Sequence, residues 1–155
     1  MKVLVVYFSF GGKTAKVAKH LAKEIGATLY EIKPEVPYTD SEVNWMNPLS
    51  RCNKEKIGKK DVPVVGSVEE FESYDTVYIG FPIWYGAAPN VVNTFCKGYN
   101  WAGKTVHAFA TSGGSGIGKT AEKLAPFTEG AESVDAKLIK SKVDLQEWVT
   151  IEREI

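Results

Sequence analysis

Residues 3–8, Val-Leu-Val-Val-Tyr-Phe, form a continuous apolar run rich in β-branched and aromatic side chains. A run without alternation marks a strand covered on both faces, as in the interior of a parallel sheet, so it is read as a first, central strand. From Thr14 the pattern changes: Val17, Leu21 and Ile25 recur at four-residue spacing, Ala18 and Ala22 lie beside them, and Gly26 follows. That spacing predicts an amphipathic helix with a glycine stop. Residues 27–33 mix polar and apolar positions as an edge strand does, and Pro34 and Pro37 close it. Two further unbroken runs, 75–81 and 105–110, predict buried strands. The first leads into a helix over 89–97 that opens on Pro89, and the second into a Gly-rich loop and a helix ending near Pro126. Residues 133–139 alternate like a second edge strand, and 143–155 read as a terminal helix.

Strand, loop and helix recurring in this way predict an α/β fold. The specific expectation is a three-layer, doubly wound, five-stranded parallel sheet with right-handed crossovers. Placing the three unbroken runs at the centre gives the strand order 2-1-3-4-5. Residues 1–155 are enough for one sizeable core and too few for two, so they are read as a single domain. The segment 34–60 interrupts the regular pattern with Pro34, Pro37, Pro48 and Gly58 and little periodicity. It reads as a long excursion with at most one short helix, and such loops in compact domains are usually functional.

In an open sheet of this kind ligands bind beyond the carboxyl ends of the strands, at the switch point between the first and third. Three loops lie there. The first holds Ser9, Gly11, Gly12, Lys13 and Thr14 at the start of a helix, so amide hydrogens, hydroxyls and the positive helix end converge as a phosphate cradle. The second, Pro82, Ile83, Trp84, Tyr85 and Gly86, sets two large aromatics at a ligand edge, suited to stacking on a flat ring. The third opens with Thr111, Ser112, Gly113 and Gly114 and offers amide donors and hydroxyls with almost no side-chain bulk.

Composition narrows the partners. The chain has 19 Lys and Arg against 19 Asp and Glu, so no global field attracts nucleic acid or an anionic membrane surface. No apolar run approaches the roughly 20 residues of a membrane span. Cys52 and Cys96, with only His20 and His107 to join them, have no metal-ligand spacing, and a cytoplasmic location is expected. His107 falls in a predicted strand and reads as a core histidine, whereas His20 lies late in the first helix, at the surface.

Two matches to the P-loop pattern compete with these readings, one at Gly113, Gly118, Lys119 and Thr120, the other at Gly98, Gly103, Lys104 and Thr105. The second runs into a strand, which is mechanically wrong, and the first lacks a strand-end aspartate to hold magnesium. A serine hydrolase fails too, because Ile117 stands where a nucleophile elbow at Ser115 requires glycine and no histidine follows.

Taken together, the three loops resemble those of the flavodoxin-like family. Residues 7–14 resemble its hydroxyl-rich phosphate loop, 80–86 its first ring-binding loop and 111–118 its second, and the absence of an insertion between the fifth strand and the last helix resembles the short-chain branch. The resemblance implies non-covalently bound FMN. Ser9, Gly11, Gly12, Lys13 and Thr14 would hold its phosphate, and Pro82, Ile83, Trp84, Tyr85 and Gly86, with Ser112, Gly113 and Gly114 after Thr111, its isoalloxazine. It further implies transfer of electrons between partner proteins or, as an alternative, an FMN-dependent NAD(P)H:quinone-type reductase acting on small oxidants. Two departures stand out: Gly11 replaces a hydroxyl residue of many relatives, and the zero net charge differs from strongly acidic electron carriers. Neither ring loop carries a carboxylate to oppose negative charge on reduced flavin, so a less negative potential for the fully reduced couple is expected. Tyr38, Trp45 and Arg51, in the excursion, resemble a subgroup of the family, and either touch the flavin or pin the loop.

Overall fold

The structure, a computed structural model, describes residues 2–44, 46–112 and 116–154, with side chains as far as Val149. Five parallel strands form the main sheet: β1 (Val3–Tyr7), β2 (Thr28–Glu31), β5 (Thr76–Pro82), β6 (Thr105–Thr111) and β7 (Ser133–Leu138). Their order is β2-β1-β5-β6-β7, the expected 2-1-3-4-5 among these five. Between them run α1 (Lys13–Ile25), α3 (Asn90–Lys97) and α4 (Thr120–Leu124), with α5 (Lys142–Glu154) at the end.

Strand alternation sorts the side chains into two cores, one on each face of the sheet. Leu4, Val6 and Phe8 share the first with Val77, Ile79 and Phe81 and with Val106, Ala108 and Ala110; Val91, Val92 and Phe95 of α3 and Leu124 of α4 cover them. The intervening positions, Val5, Tyr7, Tyr78 and Phe109, face Ala18, Leu21 and Ala22 of α1 and Leu145, Trp148 and Val149 of α5. Each fully buried aliphatic or aromatic side chain contributes about 1.5–3 kcal/mol, so the unbroken runs supply a large share of the hydrophobic drive and the helices and loops that cover them supply the rest. Strand β2 is largely exposed along its length, as an edge strand should be.

The excursion is more structured than its composition suggests. The edge strand ends at Glu31, and Lys33 and Pro34 form a separate short strand, β3, antiparallel to β4 (Val64–Val65). Proline is tolerated there because this two-stranded ladder is all edge. A 3-10 turn spans Ser41–Val43, and α2 (Arg51–Ile57) is the single helix anticipated. The helix expected to stop near Pro126 is only five residues long and continues as a 3-10 turn, Ala125–Thr128, because proline removes a donor that the α-helical ladder needs. His107 is a second correction: it is half-buried rather than enclosed, lying against Tyr78 with Nδ1 on the Asp135 carboxylate. Register explains it, since Asp135 stands directly across from His107 on the edge strand β7. Among the described residues no helix is long and apolar enough to cross a membrane.

Candidate functional site

The three loops singled out in the sequence meet at the carboxyl ends of β1, β5 and β6, and direct bonds join them. The Ile83 amide donates to the Thr111 carbonyl at 2.8 Å, and Lys13 Nζ donates to the Ser112 carbonyl at 3.1 Å. The Thr14 and Thr111 hydroxyls share a buried hydrogen bond of 2.7 Å. Thr14 thus turns inward and ties α1 to β6, while the other residues of its loop form the rim.

That rim is shaped by Gly11 and Gly12, both in the left-handed region at φ 85° and 90°, with open space where a side chain would stand. A β-carbon is strained in this conformation, so the turn into α1 requires glycine. The Ser9 hydroxyl accepts the Ala15 amide hydrogen at 3.1 Å, which leaves its own hydrogen to donate. No acidic residue occupies the first turn of α1, and the first amides of a helix have no partner within it. These groups fit a tetrahedral oxyanion: convergent donors, a helix dipole of the right sign and a flanking cation.

The second loop is a tight turn. Trp84 and Ala87 exchange both backbone hydrogen bonds, at 2.9 and 3.2 Å, and the two residues between them have positive φ, 57° at Tyr85 and 71° at Gly86. This is the type I′ signature, which glycine and asparagine adopt readily and tyrosine rarely. Backbone strain of this kind is concentrated at functional sites. Tyr85 remains 40% exposed, but its hydroxyl is held by α2, donating to Asn53 Oδ1 and lying 3.1 Å from Cys52 Sγ. Desolvation first, and then the bond to Cys52, push its phenol above the ordinary range.

Trp84 is fixed by edge-to-face contacts with Phe8, at 5.6 Å between ring centres, and Tyr38, at 5.3 Å. Tyr38 in turn donates to Glu55, which accepts Arg51 Nε at 2.9 Å, and the Arg51 guanidinium lies 4.0 Å over the Tyr38 ring. Arg51 also holds the Val36 carbonyl at 2.8 Å. Tyr38 and Arg51 therefore pin the excursion and brace the aromatic loop; Trp45 lies outside the described residues. Cys52, weighed in the sequence only as a metal ligand, and Asn53 and Glu55 were not read there as site residues, and only the four-residue spacing of Arg51 and Glu55 hinted at the last of them.

The P-loop match fares badly. The Thr120 hydroxyl is buried and donates to the Ile117 carbonyl instead of facing the rim, and no cluster of three or more potential metal-binding side chains occurs among the described residues. Gly113 and Gly114 lie outside the described residues.

Comparison with known proteins agrees with this geometry. A family model described as flavodoxin matches residues 2–152. A candidate flavoprotein from Bacteroides eggerthii is 37% identical over 97% of this chain and 96% of its own, with a TM-score of 0.88. Another from Bacteroides uniformis is 37% identical, with 96% and 97% covered and a TM-score of 0.89. A Lactobacillus acidophilus flavoprotein solved in complex with FMN shares the fold at 22% identity and a TM-score of 0.70, with 96% of this chain and 98% of that one covered. No curated protein matches the chain.

Proposed function

The chain belongs to the flavodoxin family, and from that premise we propose that it is a redox protein that holds FMN non-covalently across its three clasped loops and passes electrons through it. The observation carrying this reading is the left-handed Gly11-Gly12 turn, open on its outer side, at the carboxyl-end crevice where the connections leaving the neighbouring strands β1 and β5 run to opposite faces of the sheet. When bound, FMN supplies reversible electron acceptance at its isoalloxazine ring.

The chain's own residues do the holding. Amides of Gly11, Gly12 and Lys13 and the free hydrogen of the Ser9 hydroxyl are placed to grip the phosphate, and Lys13 adds a cation. Thr14 contributes through its backbone and by locking α1 against Thr111. Pro82, Ile83, Trp84, Tyr85 and Gly86 form the ring wall, stiffened by the I′ turn and by the Tyr38 contact. Ser112, with Gly113 and Gly114, would border the polar edge of the ring. A wall braced in this way limits rearrangement when the charge on the ring changes.

The reductase alternative has one observation in its favour. Helix α2 packs directly on the ring loop through Cys52 and Asn53, as the wall of a small-molecule site would. Two measurements test the proposal. Purified protein titrated with FMN is expected to quench flavin fluorescence and to show the flavin absorbance band near about 450 nm; absence of binding overturns the reading. Oxidation of NADH or NADPH with benzoquinone, by FMN-loaded protein without an added reductase, separates an enzyme from a carrier.

A further inference from the structure

Beside the ring loop lies a pocket of about 260 Å³ between α2, α3 and α4. Five lysines line it, Lys56, Lys59, Lys60, Lys97 and Lys123, against one carboxylate, Asp61. Asp61 is taken by Lys97 at 2.5 Å, so the other four ammonium groups have no carboxylate partner among the described residues. This is a local excess of positive charge in a chain with none overall.

The pocket is coupled to the redox site. Ala87 and Ala88, which follow the I′ turn, form one wall, and Lys123 Nζ donates to the Gly86 carbonyl at 3.3 Å. Phe127, Asn90 and Asn93 complete it. Lys56 is half-buried, and its ammonium is held below the ordinary range by desolvation and then by the like charge of Lys123. An anion between the two relieves both costs.

The lining also indicates which anion. Planar carboxylates are matched best by the fork of an arginine, and no arginine is present. Several ammonium groups on flexible stems, each with three donors, suit a tetrahedral group with many oxygens. We propose that this pocket is an anion-binding subsite for the phosphate of a phosphorylated co-substrate, with Lys56, Lys59, Lys60 and Lys123 as its donors. The subsite stands on its own residues; the role of its ligand as a co-substrate rests on the flavin reading above. The phosphate has two sources to distinguish, the ribose 2′-phosphate of a nicotinamide dinucleotide and a free phosphate or pyrophosphate.

Calorimetric titration of the full chain, loaded with FMN so that the α1 cradle is filled, tests this with adenosine 2′,5′-bisphosphate and with inorganic pyrophosphate. One saturable site is expected, weakening as salt rises. The double variant K56Q/K123Q should lose about tenfold or more in affinity, whereas K19Q/K23Q, on α1 across the sheet, should match the parent protein. Tighter binding of the nucleotide supports the dinucleotide source, and equal or tighter binding of pyrophosphate supports the free one. Absence of saturable binding, or undiminished binding in a folded K56Q/K123Q protein, overturns the proposal. FMN titration of the same proteins keeps the two readings apart. If the parent fails to bind FMN yet binds pyrophosphate through Lys56 and Lys123, the flavin reading falls and the subsite stands.

Discussion

At Gly80 the second central strand has no room for a β-carbon, because one built there would lie 2.2 Å from two ring atoms of Phe109. Gly80 and Phe109 are register partners on β5 and β6, and the ring occupies the space that the missing side chain leaves on the α1 face. Gly80→Ala is therefore expected to destabilise the fold by about 3 kcal/mol, read as a lower midpoint in urea. Adding Phe109→Leu should restore part of the loss. Tyr38 carries a different signature. Desolvation and the bond to Glu55 outweigh the Arg51 guanidinium and hold the phenol proton well above the ordinary value of 10.0. Above pH 10 the unfolded chain releases a proton that the native state keeps. This contribution is complete below that pH and then declines by about 1.4 kcal/mol per pH unit. Tyr38→Phe should flatten the alkaline limb of the stability profile by one proton's worth, at a neutral-pH cost of about 1 kcal/mol for the lost hydrogen bond. The packing role of Gly80 is not announced in the sequence, and for Tyr38 the sequence left open whether it touches flavin or pins the loop. One is a glycine inside a strand, the other an aromatic in a loop, and only the third dimension supplies the ring and the carboxylate.

Among the elements, legibility followed hydrophobic density. Strands β1, β5 and β6 and helix α1 were readable because buried elements must be apolar at a fixed period. The excursion was legible only as far as one short helix, because α2, β3 and β4 are held largely by polar and edge contacts, such as Tyr85 to Asn53 and Arg51 to the Val36 carbonyl, that leave no periodic trace. The candidate site shows the same division. Its glycines and hydroxyls were visible as loop composition, but the inward turn of Thr14 was not. That residue links helix to strand, and its contribution is measurable by a double-mutant cycle. Thr14→Val leaves the Thr111 hydroxyl buried without its 2.7 Å partner and is expected to cost about 1–3 kcal/mol. Thr14→Val/Thr111→Val should cost less than the sum of the two single changes, as equilibrium unfolding would show.

For the molecule as a whole, neutrality conceals separation of charge, with lysines gathered beside the Pro82 to Gly86 loop while the rim before α1 carries its own Lys13. Zero net charge argued against a generally basic or acidic partner, yet it could not reveal where the cations collect, since α2, α3 and α4 meet only on folding. A flavin bound across three loops should stabilise the entire fold by mass action. FMN at about 100 times its dissociation constant is expected to add about 2.7 kcal/mol, seen as a rise in Tm that grows with FMN concentration.

The pairing of β1 with β5 has a consequence for how the protein is made. Val6 lies beside Ile79, and no strand earlier than β5 can cover that side of β1. During synthesis the first strand must wait, uncovered, until more than seventy further residues have emerged, and non-local pairing of this sort slows folding. A nascent chain halted before Thr76 should remain protease-sensitive, and protection should arise only once β5 has cleared the ribosome.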